Sequence, residues 1–247
     1  MNIKGEIIYG VHPVTETLRS RKRNVLQMFI VKGRSNAHLD NIIVMAKRMN
    51  VPLLRVEQTE LDRIAGRGNH QGIVITAEPL RMTGLSDAID GLQGRKNAVW
   101  LAVDEITDPQ NLGSMLRSAA CFGVDTVLLP EHRTVGITPA VHKAACGALE
   151  RLTIVKLVNL NNTVRELKDH GFWVYGADMK GTPINKMKYN TPALLIIGSE
   201  GTGLREKTRE HCDEIVSIPQ KGSIDSLNAG VAAAIVMQDM AIKARLV

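Results

Sequence analysis

The sequence is poor in cysteine and has no long apolar run. Its three cysteines, Cys121, Cys146 and Cys212, are odd in number and far apart, which argues against a disulfide framework. Neither a CxxC nor an HxxxH spacing occurs, so no metal site is expected. No stretch reaches the length of a membrane helix, and no secretory core follows the initial MNIKGEIIYG. These absences predict a reduced, cytoplasmic protein without a membrane segment.

Aromatic residues are also scarce, at 3% of the 247 residues. This scarcity argues against base stacking as the main way of holding a nucleic acid. The net charge of +6 is uneven, because residues 1–79 hold 12 Lys and Arg against 7 Asp and Glu, whereas residues 80–247 hold 19 against 18. A basic first third suggests a module that binds RNA through phosphates, riboses and shape. The alternative is an ordinary solvated basic surface.

The densest basic run lies near the start of the chain. It provides the candidates for contact with RNA phosphates: Arg19, Arg21, Lys22 and Arg23.

Strand and helix patterns alternate along the whole chain. They predict a small α/β domain at residues 1–79, a glycine-containing linker at 80–96, and a larger α/β domain at 97–247. In the larger domain, the alternation predicts a mostly parallel sheet with helices on both faces.

Two common nucleotide-binding fingerprints are missing from the larger domain. The first predicted strand there is followed by VDEITDPQNLGSML, which contains neither GxGxxG nor GxxxxGK[ST]. Glycines cluster later instead, in GSEGTGL (198–204) and PQKGSIDSLNAG (219–230). Both clusters follow predicted strands, and loops at strand ends are where open α/β sheets bind ligands.

The segment DPQNLGSMLRSAACFGV predicts a helix that begins after the N-cap Asp108, with Pro109 in its first turn. Its two faces differ: Leu112, Met115, Leu116, Ala119 and Ala120 gather on one side, and Asn111, Ser114, Arg117 and Ser118 on the other. Taken singly, the polar residues have ordinary explanations. Arg117 fits an exposed helical arginine, Glu200 a carboxylate that favours a helix start, and Ser226 or Asn228 an N-cap.

Taken together, three blocks resemble a known family. DPQNLGSMLRSAACFGV, LLIIGSEGTGL and IPQKGSIDSLNAGVAAAIV, in this order, are similar to the three motifs of the SpoU (TrmH-like) RNA ribose 2′-O-methyltransferases. YGVHPVTETLRS (9–20) and GRGNHQGIV (66–74) resemble the family's amino-terminal RNA-binding module, whose fold is like that of ribosomal protein L30e. The resemblance therefore implies an L30e-like α/β domain, followed by a SPOUT-type α/β methyltransferase domain with a carboxyl-terminal trefoil knot.

The resemblance also implies S-adenosylmethionine as the cofactor and a homodimer with active sites at the subunit interface. The family's cofactor positions match Gly198, Ile218 and Leu227 in this sequence. Its polar catalytic set matches Asn111, Arg117, Glu200, Ser226 and Asn228. Gly230 departs from the pattern, because relatives often carry serine there.

The implied activity is methylation of a ribose 2′-hydroxyl, with a guanosine of large-subunit ribosomal RNA as the substrate. Two alternatives stay open: a transfer RNA or ribosomal adenosine as the target, and a non-catalytic RNA-binding or ribosome-assembly protein. The counterpart of Arg117 is the family's proposed base, but a guanidinium normally stays protonated. Binding of the target phosphate and stabilisation of the developing alkoxide are therefore the alternative role.

Overall fold

The computed structural model of the chain describes residues 4–33, 36–66, 68–222 and 226–247. Two compact α/β units make up the chain. The first unit comprises Met1–Arg81 together with Ile137–Arg151, and the second comprises Met82–Gly136 together with Leu152–Val247. The predicted α/β class is therefore confirmed. The domain limits at residues 79 and 97 stay a prediction, and the two compact units divide the chain at other positions.

The first unit is built on a four-stranded sheet of order β1-β4-β2-β3. Strands β1 and β2 pair antiparallel with β4, and β3 pairs parallel with β2. Strand β4 is buried at every position, which explains its uninterrupted run IVITA. The elements are β1 Glu6–Tyr9, α1 Val11–Ser20, β2 Val25–Val31, α2 Ala37–Arg48, β3 Leu53–Val56, α3 Gln58–Ile64 and β4 Ile73–Ala77.

A segment from the middle of the chain, residues 137–151, belongs to this first unit. It contains helix α6, Pro139–Ala145, which Thr138 caps by accepting a hydrogen bond from the Val141 N–H at 3.3 Å. A short 3₁₀ turn at Ala148–Glu150 follows. Glu150 is buried and accepts a hydrogen bond from Thr17 Oγ1 on α1 at 3.1 Å. The sequence pattern predicted this segment as part of the larger domain. Its contacts with α1 join residues more than a hundred positions apart, and such contacts leave no local pattern in the sequence.

The second unit contains a six-stranded, all-parallel sheet of order β10-β8-β9-β5-β6-β7. The central strands β5 and β9 are buried at every position, as their apolar runs VWLAV and ALLII require. The elements are α4 Leu85–Asp90, β5 Val99–Val103, α5 Pro109–Cys121, β6 Thr126–Pro130, β7 Thr153–Leu157, α7 Leu160–Asp169, β8 Trp173–Pro183, β9 Ala193–Ile197, α8 Glu206–Glu210, β10 Glu214–Ser217 and α9 Ala229–Lys243. The trefoil knot stays a prediction.

Residues 80–96 pack more closely than the predicted linker. Helix α4 lies inside this range, and Ala88 and Leu92 are buried in the same apolar cluster as Trp100 of β5. Thr83 forms an isolated parallel bridge with Val155 of β7. From residue 82 onward, the range therefore contributes to the core of the second unit.

Candidate active site

The neighbouring strands β5 and β9 end at the same edge of the parallel sheet, whereas β8 continues past this edge to Pro183. Val103 of β5 and Ala177 of β8 both pair with Ile197 of β9, so the loops after β5 and β9 begin beside the point where β8 separates from β9. In open α/β sheets, the carboxyl edge is where ligands bind. The first two sequence blocks and the segment after β10 converge on this edge.

The first block forms helix α5 as predicted. Asp108 caps it by accepting hydrogen bonds from the backbone N–H groups of Gln110 and Asn111, both at 3.1 Å. Pro109 occupies the first turn, where its missing N–H leaves no bond unmade. The cap fixes the start of the helix and places Asn111 in its first turn, where the residue is buried.

Three of the predicted catalytic residues form one hydrogen-bonded group, here called the Asn–Glu–Asn cluster: Asn111, Glu200 and Asn228. Asn111 Nδ2 donates to Glu200 Oε2 at 2.9 Å, and Asn228 Nδ2 donates to Glu200 Oε1 at 2.8 Å. Asn228 Nδ2 also donates to Asn111 Oδ1 at 2.7 Å. Each carboxylate oxygen thus accepts one amide N–H, which fixes the orientation of the carboxylate.

Asn228 also caps helix α9, because its Oδ1 accepts a hydrogen bond from the Val231 N–H at 3.2 Å. Asn228 therefore caps the helix with its Oδ1 while its Nδ2 donates to the other two members of the cluster. Gly230, in the first turn of α9, keeps the helix close to α5: a Cβ there would lie 3.3 Å from Ser114 Cβ and Oγ. The position where relatives often carry serine is thus a tight contact between two site helices.

The other two predicted catalytic residues, Arg117 and Ser226, lie on exposed surface. Arg117 lies on α5, which also carries Asn111, but it is not among the described residues that line the adjacent cavity. Ser226 does line that cavity. Asp225, its neighbour in the third block, lies outside the described residues.

A cavity of about 810 Å³, a volume that includes its open mouth, adjoins the cluster. The three predicted cofactor residues, Gly198, Ile218 and Leu227, are all on its wall. The described lining residues are Ala177, Asp178, Met179, Ile197, Gly198, Ser199, Glu200, Gly201, Thr202, Gly203, Val216, Ile218, Gln220, Ser226, Leu227, Ala229, Ala232 and Val236. The wall therefore combines aliphatic side chains with hydroxyl groups and two carboxylates.

The glycine-rich loop after β9 is folded back on itself. The Ser199 N–H donates to the Gly203 carbonyl, the Gly203 N–H donates to the Ser199 carbonyl, and both distances are 3.1 Å. A Cβ on Gly198 would lie 2.2 Å from the Gly203 carbonyl oxygen, so only glycine permits this approach. The conformation of the loop thus explains why glycine is required at 198.

An ion pair that the sequence analysis missed anchors the end of this loop. Arg205 donates from Nε to Asp104 Oδ2 at 3.0 Å, and its Nη2 lies 2.6 Å from Asp104 Oδ1. Thr208 Oγ1 also donates to Asp104 Oδ2, at 2.8 Å. Asp104 is buried directly after β5, and the hydrogen bond and charge it provides raise the pKa of Arg205. The only sequence signal was an aspartate immediately after a buried strand.

The four basic candidates for RNA contact separate into two kinds. Arg19, Arg21 and Lys22 are exposed, as a phosphate contact requires. Arg23 is buried, with Nη2 at 2.5 Å from Glu150 Oε1 and Nη1 at 2.5 Å from Glu6 Oε2. These two carboxylates occupy its guanidinium, so Arg23 stabilises the first unit and is not placed to contact a phosphate.

Within the described ranges, no three or more His, Cys, Asp or Glu residues are grouped so that they could hold a metal ion. The same part of the chain contains no helix that is both long and apolar enough to cross a bilayer.

Two family profiles match the chain. The SpoU rRNA Methylase family matches residues 98–238, and the profile described as RNA 2′-O ribose methyltransferase substrate binding matches residues 7–83.

Similar curated proteins extend over nearly the whole length. The 23S rRNA (guanosine-2′-O-)-methyltransferase RlmB of Haemophilus ducreyi is 37% identical over 232 residues, which is 93% of this chain and 94% of the relative. The protein of the same name from Coxiella burnetii is 35% identical over 235 residues, 94% of each chain.

Solved structures share the fold at lower identity. The SpoU methyltransferase AviRb from Streptomyces viridochromogenes, in complex with the cofactor AdoMet, superposes with a TM-score of 0.78 at 21% identity and covers 96% of this chain and 89% of its own. An AdoMet-bound rRNA methyltransferase from Sinorhizobium meliloti also gives 0.78 at 21% identity, covering 95% and 86%.

Proposed function

The chain belongs to the SpoU rRNA methylase family, and from this premise we propose that it transfers a methyl group from S-adenosylmethionine to a guanosine ribose 2′-hydroxyl of 23S ribosomal RNA. The observation that supports this substrate most strongly is the similarity, over more than nine-tenths of both chains, to relatives named for that reaction. The Asn–Glu–Asn cluster beside the cavity supports an active enzyme.

The residues around the cavity fit S-adenosylmethionine. The aliphatic wall of the cavity, which includes Ile218 and Leu227, suits an adenine ring. Glu200 adds an acidic side chain to this wall, which suits a ligand that carries a sulfonium charge. We assign Gly198, Ile218 and Leu227 to cofactor binding on this basis.

When bound, S-adenosylmethionine supplies a methyl group that is already activated by its sulfonium sulfur. The protein must therefore align the ribose oxygen with that methyl group and stabilise the charge that develops as the hydroxyl proton leaves. Glu200, held by two asparagine amides, positions the loop against α5 and α9. Ser226 and Asn228 help to position the nucleotide and this loop.

Arg117 acts in this proposal as a charged donor. A guanidinium is in general a poor base at neutral pH, so we assign it no proton-abstracting role. It can bind the target phosphate and stabilise an alkoxide on the ribose 2′ oxygen. Its exposed position on α5 leaves it accessible to an RNA chain.

A homodimer is the assembly that we propose for the active enzyme. Its support is a pair of exposed apolar side chains on one face of α9: Val231 and Ile242 are 48% and 53% exposed and lie 11 positions apart, close to three full turns. Light scattering of the purified protein should give twice the mass of one chain, and a glutamate at both positions should give single chains. We also propose that the protein acts in the cytoplasm, because its proposed substrate is ribosomal RNA.

The direct test is to incubate the purified chain with radiolabelled S-adenosylmethionine and RNA from cells that lack the enzyme. Label in 23S RNA, recovered in an alkali-resistant dinucleotide that contains guanosine, is the expected result. Label in transfer RNA, or at an adenosine, would keep the reaction and replace the substrate. If naked RNA and isolated ribosomal precursor particles both stay unlabelled although the cofactor binds, a non-catalytic RNA-binding role would take the place of this proposal.

A further inference from the structure

Asp178 is a carboxylate on the cavity wall that neither the sequence analysis nor the proposed reaction uses. It follows Ala177, the last residue of β8 that pairs with β9, and therefore lies at the ligand-binding edge of the sheet. Its side chain is only 16% exposed. Burying most of a carboxylate costs free energy unless its oxygens find hydrogen-bond partners. The contacts of the two oxygens therefore indicate what Asp178 binds.

The two oxygens of Asp178 have different surroundings. Oδ1 accepts a hydrogen bond from the Lys180 N–H at 3.0 Å and lies 2.5 Å from Arg209 Nη2. Oδ2 accepts no hydrogen bond from the part of the chain that the structure describes. It lies 3.2 Å from the point where a Cβ on Gly203 would be. Gly203 and Asp178 both line the cavity. The space in front of Oδ2 therefore belongs to the cavity, and a side chain at position 203 would fill it.

The ion pair with Arg209 determines which kind of donor suits Oδ2. Burial raises the pKa of Asp178, but the hydrogen bonds from Arg209 and the Lys180 N–H, with the charge of Arg209, more than offset it, so the pKa lies below its usual value. The carboxylate is thus ionised, while its charge is already balanced by a guanidinium. A balanced carboxylate attracts a second cation weakly but remains a strong acceptor for a neutral hydroxyl.

We propose that Asp178 binds the ribose of the cofactor, with Oδ2 accepting a hydrogen bond from a ribose hydroxyl inside the cavity. An acidic residue binds the cofactor ribose in dinucleotide-binding sheets as well. The inference depends on the proposed function, because it assumes that the cavity holds an adenosine-containing cofactor. It adds a binding residue and assigns that residue to one chemical group of the ligand.

The test pairs a deletion on the protein with a deletion on the ligand. Binding of 5′-methylthioadenosine and of its 2′,3′-dideoxy form is measured by calorimetry on the full chain, for the wild type and for Asp178→Ala. Neither ligand carries the amino-acid part of the cofactor. The wild type should bind the ribose form at least about tenfold more tightly, the usual size of a hydrogen bond to a charged group. In Asp178→Ala, this preference should fall to near unity.

Two further variants distinguish a lost ribose contact from a misfolded protein. Asp178→Asn keeps an oxygen for Lys180 and Arg209 and should still reduce the preference severalfold. Arg209→Gln removes the ion pair but leaves Oδ2 in place, so the preference should persist. Thermal midpoints measured alongside identify any variant that has lost its fold.

Two results would overturn the assignment. One is an unchanged ribose preference in both folded Asp178 variants. The other is weaker binding of S-adenosylhomocysteine with normal binding of 5′-methylthioadenosine, which would assign Asp178 to the ammonium group instead. Wild-type binding of S-adenosylmethionine and methylation of 23S RNA, measured on the same preparation, separate these results from a failure of the proposed function, in which the wild type itself would bind none of the ligands.

Discussion

Asn228 Nδ2 lies 2.7 Å from Asn111 Oδ1, although the two residues are 117 positions apart in the chain. This hydrogen bond joins the start of α9 to the start of α5. Because Asn228 also donates to Glu200 and caps α9, one side chain connects the three segments that the sequence motifs identified separately.

The substitution Asn228→Asp separates the two roles of this residue. Aspartate caps helices about as well as asparagine, so the cap of α9 should be kept. The new carboxylate, however, cannot donate to Glu200 or Asn111 and repels Glu200. Methyl transfer should fall by about a hundredfold, the size expected when a charged hydrogen bond is lost and repulsion is added. Initial rates with labelled S-adenosylmethionine measure this effect.

Asn159 provides the matched control for that experiment. It caps α7 in the same way, by accepting a hydrogen bond from the Asn162 N–H at 3.1 Å, and it does not line the cavity. Asn159→Asp should keep full activity. Equal activity losses in the two variants would mean that the Asn228 effect comes from helix capping and not from the Asn–Glu–Asn cluster.

Arg117→Ala should remove methyl transfer while leaving cofactor affinity unchanged. Arg117 does not line the described cavity wall, so its loss should not affect cofactor binding. Loss of a donor that stabilises transition-state charge costs about a hundredfold or more in rate. Arg165→Ala, at an exposed arginine on α7, serves as the control and should retain activity. An active Arg117→Ala enzyme would exclude a catalytic role for this residue.

The basic run at residues 19–23 shows what sequence could and could not predict. Its charge density correctly marks three exposed cations, but the pattern cannot distinguish Arg23, whose partner Glu150 is 127 positions away. The ion pair of Asp104 with Arg205, 101 positions apart, was missed for the same reason. Helix α5 was predictable because its cap, its proline and its apolar face are all local. Contacts that depend on how distant segments meet leave no comparable pattern.

The contrast between Arg23 and Arg21 is itself testable. Arg23→Ala leaves Glu150 buried without its ion-pair partner, so the free energy of unfolding should fall by about 3–5 kcal/mol. Arg21→Ala changes an exposed side chain, and its effect on stability should stay within about 0.5 kcal/mol. Urea titrations followed by circular dichroism measure both. Arg21→Ala should instead weaken RNA binding and reduce its salt dependence, if this residue contacts a phosphate.

Lowering the pH should reduce the stability of the first unit, because Glu16 then loses its charge. Arg151 Nη2 lies 2.8 Å from Glu16 Oε2, and Arg19 Nη1 lies 3.1 Å from Oε1. The hydrogen bond from Arg151 is the main cause of a lowered Glu16 pKa; burial opposes it, and Arg19 adds to it. A carboxylate with a lowered folded-state pKa stabilises the fold above its unfolded pKa, and this stabilisation is lost as the pH falls through the folded value.

The resulting window lies below the ordinary glutamate value of 4.5. The stability difference between the wild type and Glu16→Gln should be constant near neutral pH and should shrink below that value. Because these ion pairs lie near the surface, the difference should not exceed about 1 kcal/mol and should decrease with salt. A difference that grows on acidification would contradict the assignment.

Gly198→Ala should weaken cofactor binding through the backbone alone. A Cβ at this position would lie 2.2 Å from the Gly203 carbonyl oxygen and 2.5 Å from the Leu204 nitrogen, so the loop would have to open. Calorimetry with S-adenosylhomocysteine should show at least about a tenfold loss of affinity, which corresponds to 1.4 kcal/mol. Gly136→Ala is the control, since nothing lies within 4 Å of its Cβ position and it does not line the cavity. Its affinity should stay near that of the wild type. An unchanged affinity in Gly198→Ala would mean that the close approach at Gly198 is not needed for binding.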